Sequence, residues 1–391
     1  MSDVARLAGV KGADPPPPPK AMLPVPGAPR ESEQLGRLMR NPPRPVTLPA
    51  NQPSQFYRGG TQIAALRGAP NETAGCGPED WVASTTTRFG EPEIGLSLLP
   101  GGRALRAEIE ADPTGWLGQA HVERFGTSTA LLVKLLDAGQ RLPVHYHPSD
   151  GFARAHLHSP FGKTEAWIVV GTSEPDPTVY AGFRDGVSAQ TADQWVFTQD
   201  SEAMLGALNP LSVTVGDTVV IPAGLPHAIG PGVFVVELQQ PTDLSITMEW
   251  KEFLASPEDA HLGIGFATAL QCLDRSPWSP ERLRPLLRVT AGIDSPRVDL
   301  LGADATGFFR AERLSPRPTM TLDPGFSVLV VLAGNGSLRS AGDSELALHK
   351  GSTVVVPHCA GTTTLAGELT AIRARPPDAA VADPSLLGEV R

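Results

Sequence analysis

Two short segments constrain the fold more than anything else in this chain. Gly216-Asp217-Thr218-Val219-Val220-Ile221-Pro222 and Gly351-Ser352-Thr353-Val354-Val355-Val356-Pro357 share the pattern G-x-T-V-V-[I/V]-P at a spacing of 135 positions. In each, a glycine turn leads into a β-branched strand that a proline then stops. Ahead of the second copy, Ser327 to Gly336 mirrors Glu165 to Gly171, another apolar run ending in glycine. Repeated strand–turn units of this span point to an all-β-dominated chain of two jelly rolls. Gly and Pro at 40 residues each, with 19% charged residues, agree with many turns between short strands. The length of 391 residues leaves room for about two or three units of ~150 residues.

The expected organisation follows. Residues 1–45, with Pro15-Pro16-Pro17-Pro18-Pro19, read as a disordered Pro-rich leader or, less simply, a polyproline segment for a partner. Residues 46–250 form a first β domain, 251–290 a helical linker, 291–376 a second β domain and 377–391 a tail. A helix is expected over Arg103 to Ala111, and Leu131 to Gly139 reads as a buried strand ending in a turn. In the linker, Ser256-Pro257-Glu258-Asp259 and Ser279-Pro280-Glu281 are helix starts. Ile264, Ala267, Leu270 and Leu273 recur at helical spacing.

The chemistry sits in the first domain. His145 and His147 are two apart, and in a strand residues i and i+2 share a face. His227 follows Gly216, Pro222 and Gly224 at the spacing by which a second cupin motif presents its metal histidine. Glu165, in Gly162-Lys163-Thr164-Glu165-Ala166-Trp167, adds a carboxylate. Three imidazoles and one carboxylate suit zinc, iron, manganese or nickel, with positions left open for substrate. A second H-x-H, His156 and His158, competes, but it lies between turn clusters and lacks a strand. Offset by 135, His227 falls on Thr362, so the second repeat carries no matching ligands; His349 and His358 read as structural.

Val144-His145-Tyr146-His147-Pro148, Gly162 to Trp167, Pro222-Ala223-Gly224-x2-His227-Ala228, Glu237-Leu238-Gln239-Gln240 and Ala181 to Val187 together resemble the type I mannose-6-phosphate isomerases, from about residue 80 to 250. The resemblance implies a bicupin scaffold, one Zn2+ per chain and aldose–ketose isomerisation through an enediol. It departs in two places. His145 stands where the family carries Gln, which keeps a ligand. After Gln240 the run Pro241 to Trp250 keeps Asp243 but has no arginine, where the family has one associated with catalysis. Lys163, Arg184 or Lys251 are the cations left to supply charge. Lys163 is the candidate substrate or oxyanion contact, and Glu237 and Asp243 are candidate bases, with Glu237 equally placed to support a metal histidine. Two other classes fit the ligand set: another metal-dependent cupin enzyme such as a dioxygenase, and a sugar-binding cupin without turnover.

The partner expected is a small sugar or sugar phosphate. A formal charge of −10 disfavours nucleic acid and anionic membrane. No apolar run reaches the roughly 18 residues of a membrane span, and no signal-peptide pattern opens the chain. Cys76, Cys272 and Cys359, odd in number and widely spaced, read as reduced thiols of a cytoplasmic protein. No pattern in the chain sets an oligomeric state.

Overall fold

Apolar runs that do not alternate with polar residues belong to strands buried on both faces, and here such runs pair with one another. The computed structural model describes residues 42–69, 77–340 and 345–379. A six-stranded antiparallel sheet runs in the order Leu287–Val289, Asp217–Ile221, Glu165–Thr172, Val233–Gln239, Leu132–Asp137 and Glu79–Val82. A five-stranded sheet runs Ile246–Thr247, His145–Tyr146, His227–Ile229, Thr178–Phe183 and Leu208–Ser212. One core cluster draws from both: Trp167, Val169, Ile221 and Val235 from the first sheet, Val179, Ala181 and Ile229 from the second. This is the jelly-roll interior, and its polar residues form the candidate site.

The six-stranded sheet has a second buried face. Val133, Leu135, Ile168, Val236 and Leu238 point outward and share one cluster with Val328, Val330, Ile372 and Ala374. Those belong to the second β unit, an eight-stranded sheet built around Ser327–Arg339 and Thr363–Arg375. A bulge between Val331 and Ala333 bends it, so that it wraps its own core of Leu329, Val331, Val354, Val356 and Leu369. Burial on both faces explains why the central strands lack alternation. Each large apolar side chain placed there contributes about 1.5–3 kcal/mol.

The repeat corresponds in register. Glu165 pairs with Ile221 in the first unit, and Ser327 pairs with Val356 in the second. Both repeat strands leave a glycine of positive φ, Gly216 at 99° and Gly351 at 84°. Ser327 therefore stands where Glu165 stands, a small hydroxyl in place of a candidate ligand carboxylate.

Helices are shorter than the sequence periodicity suggests. The helix expected over Arg103 to Ala111 starts at Leu105, and Asp112 then caps a new turn, Pro113–Leu117. The periodic stretch from Ile264 to Leu273 is broken into Phe266–Ala269 and a 3-10 turn, Leu270–Cys272. Gly265 at positive φ keeps Ile264 out of the helix, and the turn tightens to 3-10 from Leu270. Leu270 and Leu273 are nonetheless buried in a core cluster with Tyr146 and Phe183. Ser256 and Ser279 cap Pro257–Ala260 and Pro280–Leu283, as their sequences require. Among the described residues no helix is long and apolar enough to cross a membrane. The Pro-rich stretch and Cys76 lie outside the described residues; Cys272 and Cys359 are unpaired.

Candidate functional site

Antiparallel pairing sets His145 directly opposite His227. His147, two residues on, turns its ring to the same side, and the three ring centroids lie 4.1–5.1 Å apart. Glu165 reaches them from the facing sheet, with Oε2 at 3.1 Å from His147 Nε2 and Oε1 at 3.4 Å from His227 Nε2. The four side chains are buried or nearly so; three come from strands of two sheets and His147 from the residue just past its strand.

Protonation follows from the hydrogen bonds. His145, His147 and His227 place Nδ1 at 2.9, 3.0 and 2.7 Å from the carbonyls of Pro143, Leu244 and Leu225. A carbonyl only accepts, so each Nδ1 carries the proton and each Nε2 presents a lone pair. Nε2 of His145 and Nε2 of His227 then face each other at 3.0 Å. Two lone pairs at that distance repel unless a cation lies between them. Burial, with His227 and Lys163 adding to it, holds the His145 ring well below the imidazole range. Burial, then Lys163, takes His147 to about 3, and burial, then His147, takes His227 to about 3. Three neutral imidazoles and a carboxylate converging in a buried cluster fit a divalent metal. Among the described residues this is the only grouping of three or more His, Cys, Asp or Glu with that capacity.

Lys163 supplies the chain's own positive charge here, its Nζ 2.9 Å from Glu165 Oε2 and 3.2 Å from His147 Nε2. Burial alone would raise the Glu165 carboxyl, but Lys163 and His147 hold it well below its ordinary value. Trp167 donates to Glu165 Oε1 at 3.0 Å and orients it. Glu237 lies on the inner face, its Oε1 3.9 Å from Lys163 Nζ. Burial, then the Glu165 charge, pushes its carboxyl well above the usual range, and its Oε2 has no hydrogen-bond partner.

Register extends this into a row across the sheet: Val219, Trp167, Glu237, Lys134 and Trp81 are consecutive cross-strand neighbours. Lys134 Nζ sits 4.7 Å above the Trp81 ring and 3.2 Å from Glu79 Oε2. Glu79 also accepts from Tyr57 at 2.5 Å, Trp81 at 2.6 Å and Gln55 at 2.9 Å. Burial would raise Glu79, but Lys134 and these donors keep it lowered. The sequence reading did not single out Glu79, Lys134 or Tyr57. Their signal was present, because a lysine inside Leu131-Leu132-Val133-Lys134-Leu135-Leu136 cannot be buried without a partner.

The candidate ligands adjoin a cavity of about 670 Å3. His145, Lys163 and Glu165 line its floor, and Lys134, Glu79 and Glu237 line a wall. Asp243 also lines it and accepts from the Phe89 amide at 3.2 Å; burial raises its carboxyl. Four other sequence candidates are elsewhere. His156 stacks on Phe152 at 4.5 Å and, like His158, does not line the cavity. Arg184 donates to the Gly206 carbonyl, and Lys251 is exposed outside the cavity. Arg88, not considered from sequence, lines it instead.

No family model matches the chain. A mannose-6-phosphate isomerase from Streptococcus mutans is 26% identical over 313 residues, 78% of this chain and 89% of that protein. The crystal structure of the mannose 6-phosphate isomerase from Bacillus subtilis superposes with a TM-score of 0.64 at 20% identity, covering 85% of this chain and 100% of that one. A mannose 6-phosphate isomerase crystallised with zinc and yttrium gives a TM-score of 0.63 at 16% identity, covering 86% and 100%. The likeness first read between about residues 80 and 250 thus extends across most of the chain and to the fold.

Proposed function

We propose that this chain, related in sequence and fold to the mannose-6-phosphate isomerases, is a metal-dependent aldose–ketose isomerase. It interconverts mannose 6-phosphate and fructose 6-phosphate, or a related sugar pair, through an enediolate. The observation that carries the reading is the convergence of three Nε2 lone pairs and the Glu165 carboxylate beside a cavity lined by His145, Lys163 and Glu165. One zinc ion held by His145, His147, Glu165 and His227 would supply Lewis acidity toward the oxygens on C1 and C2 of the sugar.

The isomerisation moves one proton from C2 to C1 and one from O2 to O1. Glu237 is suited to the first transfer. Its carboxyl has an unpartnered buried oxygen, and burial with the Glu165 charge raises it well above the usual carboxylate range, which makes it a stronger base. Lys163, an ammonium within 2.9 Å of Glu165, holds the charge that develops on oxygen. Lys134 faces Glu237 Oε2 at 4.0 Å and keeps that carboxylate tolerable once it has ionised. Asp243 is the alternative base, from the wall near Phe89. Trp167 and the three backbone carbonyls fix the ligands, so that the site needs little rearrangement before reaction. The unpaired Cys272 and Cys359 accord with a cytoplasmic setting.

The test is an NMR time course of zinc-loaded protein with mannose and with mannose 6-phosphate, beside the His147→Ala variant. Conversion to the ketose by the intact chain alone, with one zinc per chain by elemental analysis, is expected. Tight ferrous iron binding with oxygen uptake and no isomerisation would refute the proposal in favour of an oxygenase.

A further inference from the structure

The cavity is built for a substrate without a phosphate. Among the described residues seven carboxylates line it against three cations, and each cation lies beside a carboxylate. Lys163 lies 2.9 Å from Glu165, Lys134 lies 3.2 Å from Glu79, and Arg88 Nε lies 2.8 Å from Glu91 while its Nη1 donates to the Ser54 carbonyl. Arg141, beside the wall residues Leu142 and Pro143, is taken by both oxygens of Glu249 at 2.6 and 2.5 Å. The segment after Gln240 brings Asp243 to the cavity and no cation. Glu258 and Asp259, exposed in the cap of the Pro257–Ala260 turn, add two negative charges to the lining.

A phosphate monoester carries nearly two negative charges at neutral pH and is held by unshared Arg or Lys donors. Here, among the described residues, every lining cation already has a carboxylate beside it, and the exposed Glu258 and Asp259 add negative charge to the wall. A neutral sugar needs no free cation, since its hydroxyls both donate and accept, and a carboxylate-rich wall suits donors.

We infer that the site takes an unphosphorylated aldose and its ketose, and discriminates against their phosphate esters. The inference rests on the isomerase reading and narrows its substrate class.

The experiment compares kcat/KM for mannose and mannose 6-phosphate in the zinc-loaded full chain, at low and high salt, in the parent and in a Glu258→Gln, Asp259→Asn double variant. Calorimetry with mannitol and with inorganic phosphate reads binding independently of turnover. Mannose is expected to be favoured by about tenfold or more, with mannitol binding and phosphate not. High salt and the double variant are each expected to narrow the preference about threefold, as screened like-charge repulsion requires. Equal or better use of mannose 6-phosphate would overturn the inference and leave the isomerase standing. A mannose preference untouched by salt and by the double variant would overturn its electrostatic basis. Failure of both sugars to react and of mannitol to bind would remove the isomerase reading itself.

Discussion

Replacing Lys134 by Met tests the polar row on which the candidate base depends. The ammonium is 3% exposed and lies 3.2 Å from Glu79 Oε2. At that separation, with an effective dielectric of about 20, the pair interacts by about 5 kcal/mol. Met regains the cost of desolvating an ammonium but leaves Glu79 buried without its counter-charge. Breaking a buried pair in this way costs about 3–5 kcal/mol. Glu79 keeps its donors Tyr57, Trp81 and Gln55, so the lower end, about 3 kcal/mol, is expected. The contact between the ammonium and Trp81 adds about 1 kcal/mol to what is lost. Urea unfolding followed by tryptophan fluorescence reads the effect in Lys134→Met, Glu79→Gln and the double variant. A coupling of about 2 kcal/mol or more between the two sites is expected. A Lys134→Met cost below about 1 kcal/mol, or no coupling, would refute a buried charge pair here.

Three further outcomes are expected. His227→Ala should lose its zinc, falling well below one ion per chain by elemental analysis, and chelator should no longer lower its melting temperature. In metal-stripped protein the folded values of His147 and His227 near 3 lie below the unfolded value of about 6.5. The unfolded state then binds more protons, so this stability is present above about pH 6.5 and is lost toward pH 3, at up to about 1.4 kcal/mol per pH unit for each ring. Denaturant titrations of parent and His227→Asn in chelator should show the variant's slope smaller by one ring's share; equal slopes would refute it. Gly224→Ala should destabilise by about 1–3 kcal/mol: its φ is 86°, an added Cβ would lie 2.9 Å from the Cys272 carbonyl, and its amide donates to the His147 carbonyl. Thermal melts together with zinc content would show whether the strain reaches the ligand.

Local rules made much of this protein legible from its residues. The two-residue spacing of His145 and His147 is strand geometry, and G-x-T-V-V-[I/V]-P is a turn feeding a strand; both hold whatever surrounds them. They were enough to indicate the β class, the repeat and the pair His145 and His147, while Glu165 and His227 came from motif resemblance. Helix length was less legible, because Gly265 at positive φ delays the start beyond Ile264 and the last turn is 3-10. What only tertiary structure decided was partnership. Lys134, Glu79 and Glu237 are far apart in sequence and become neighbours through antiparallel register. Register is a property of paired strands, and a one-residue slip would send each of these side chains to the outer, apolar face. The pairing of every cavity cation with a carboxylate is decided the same way, since charge composition counts groups and only the fold sets the distances between them.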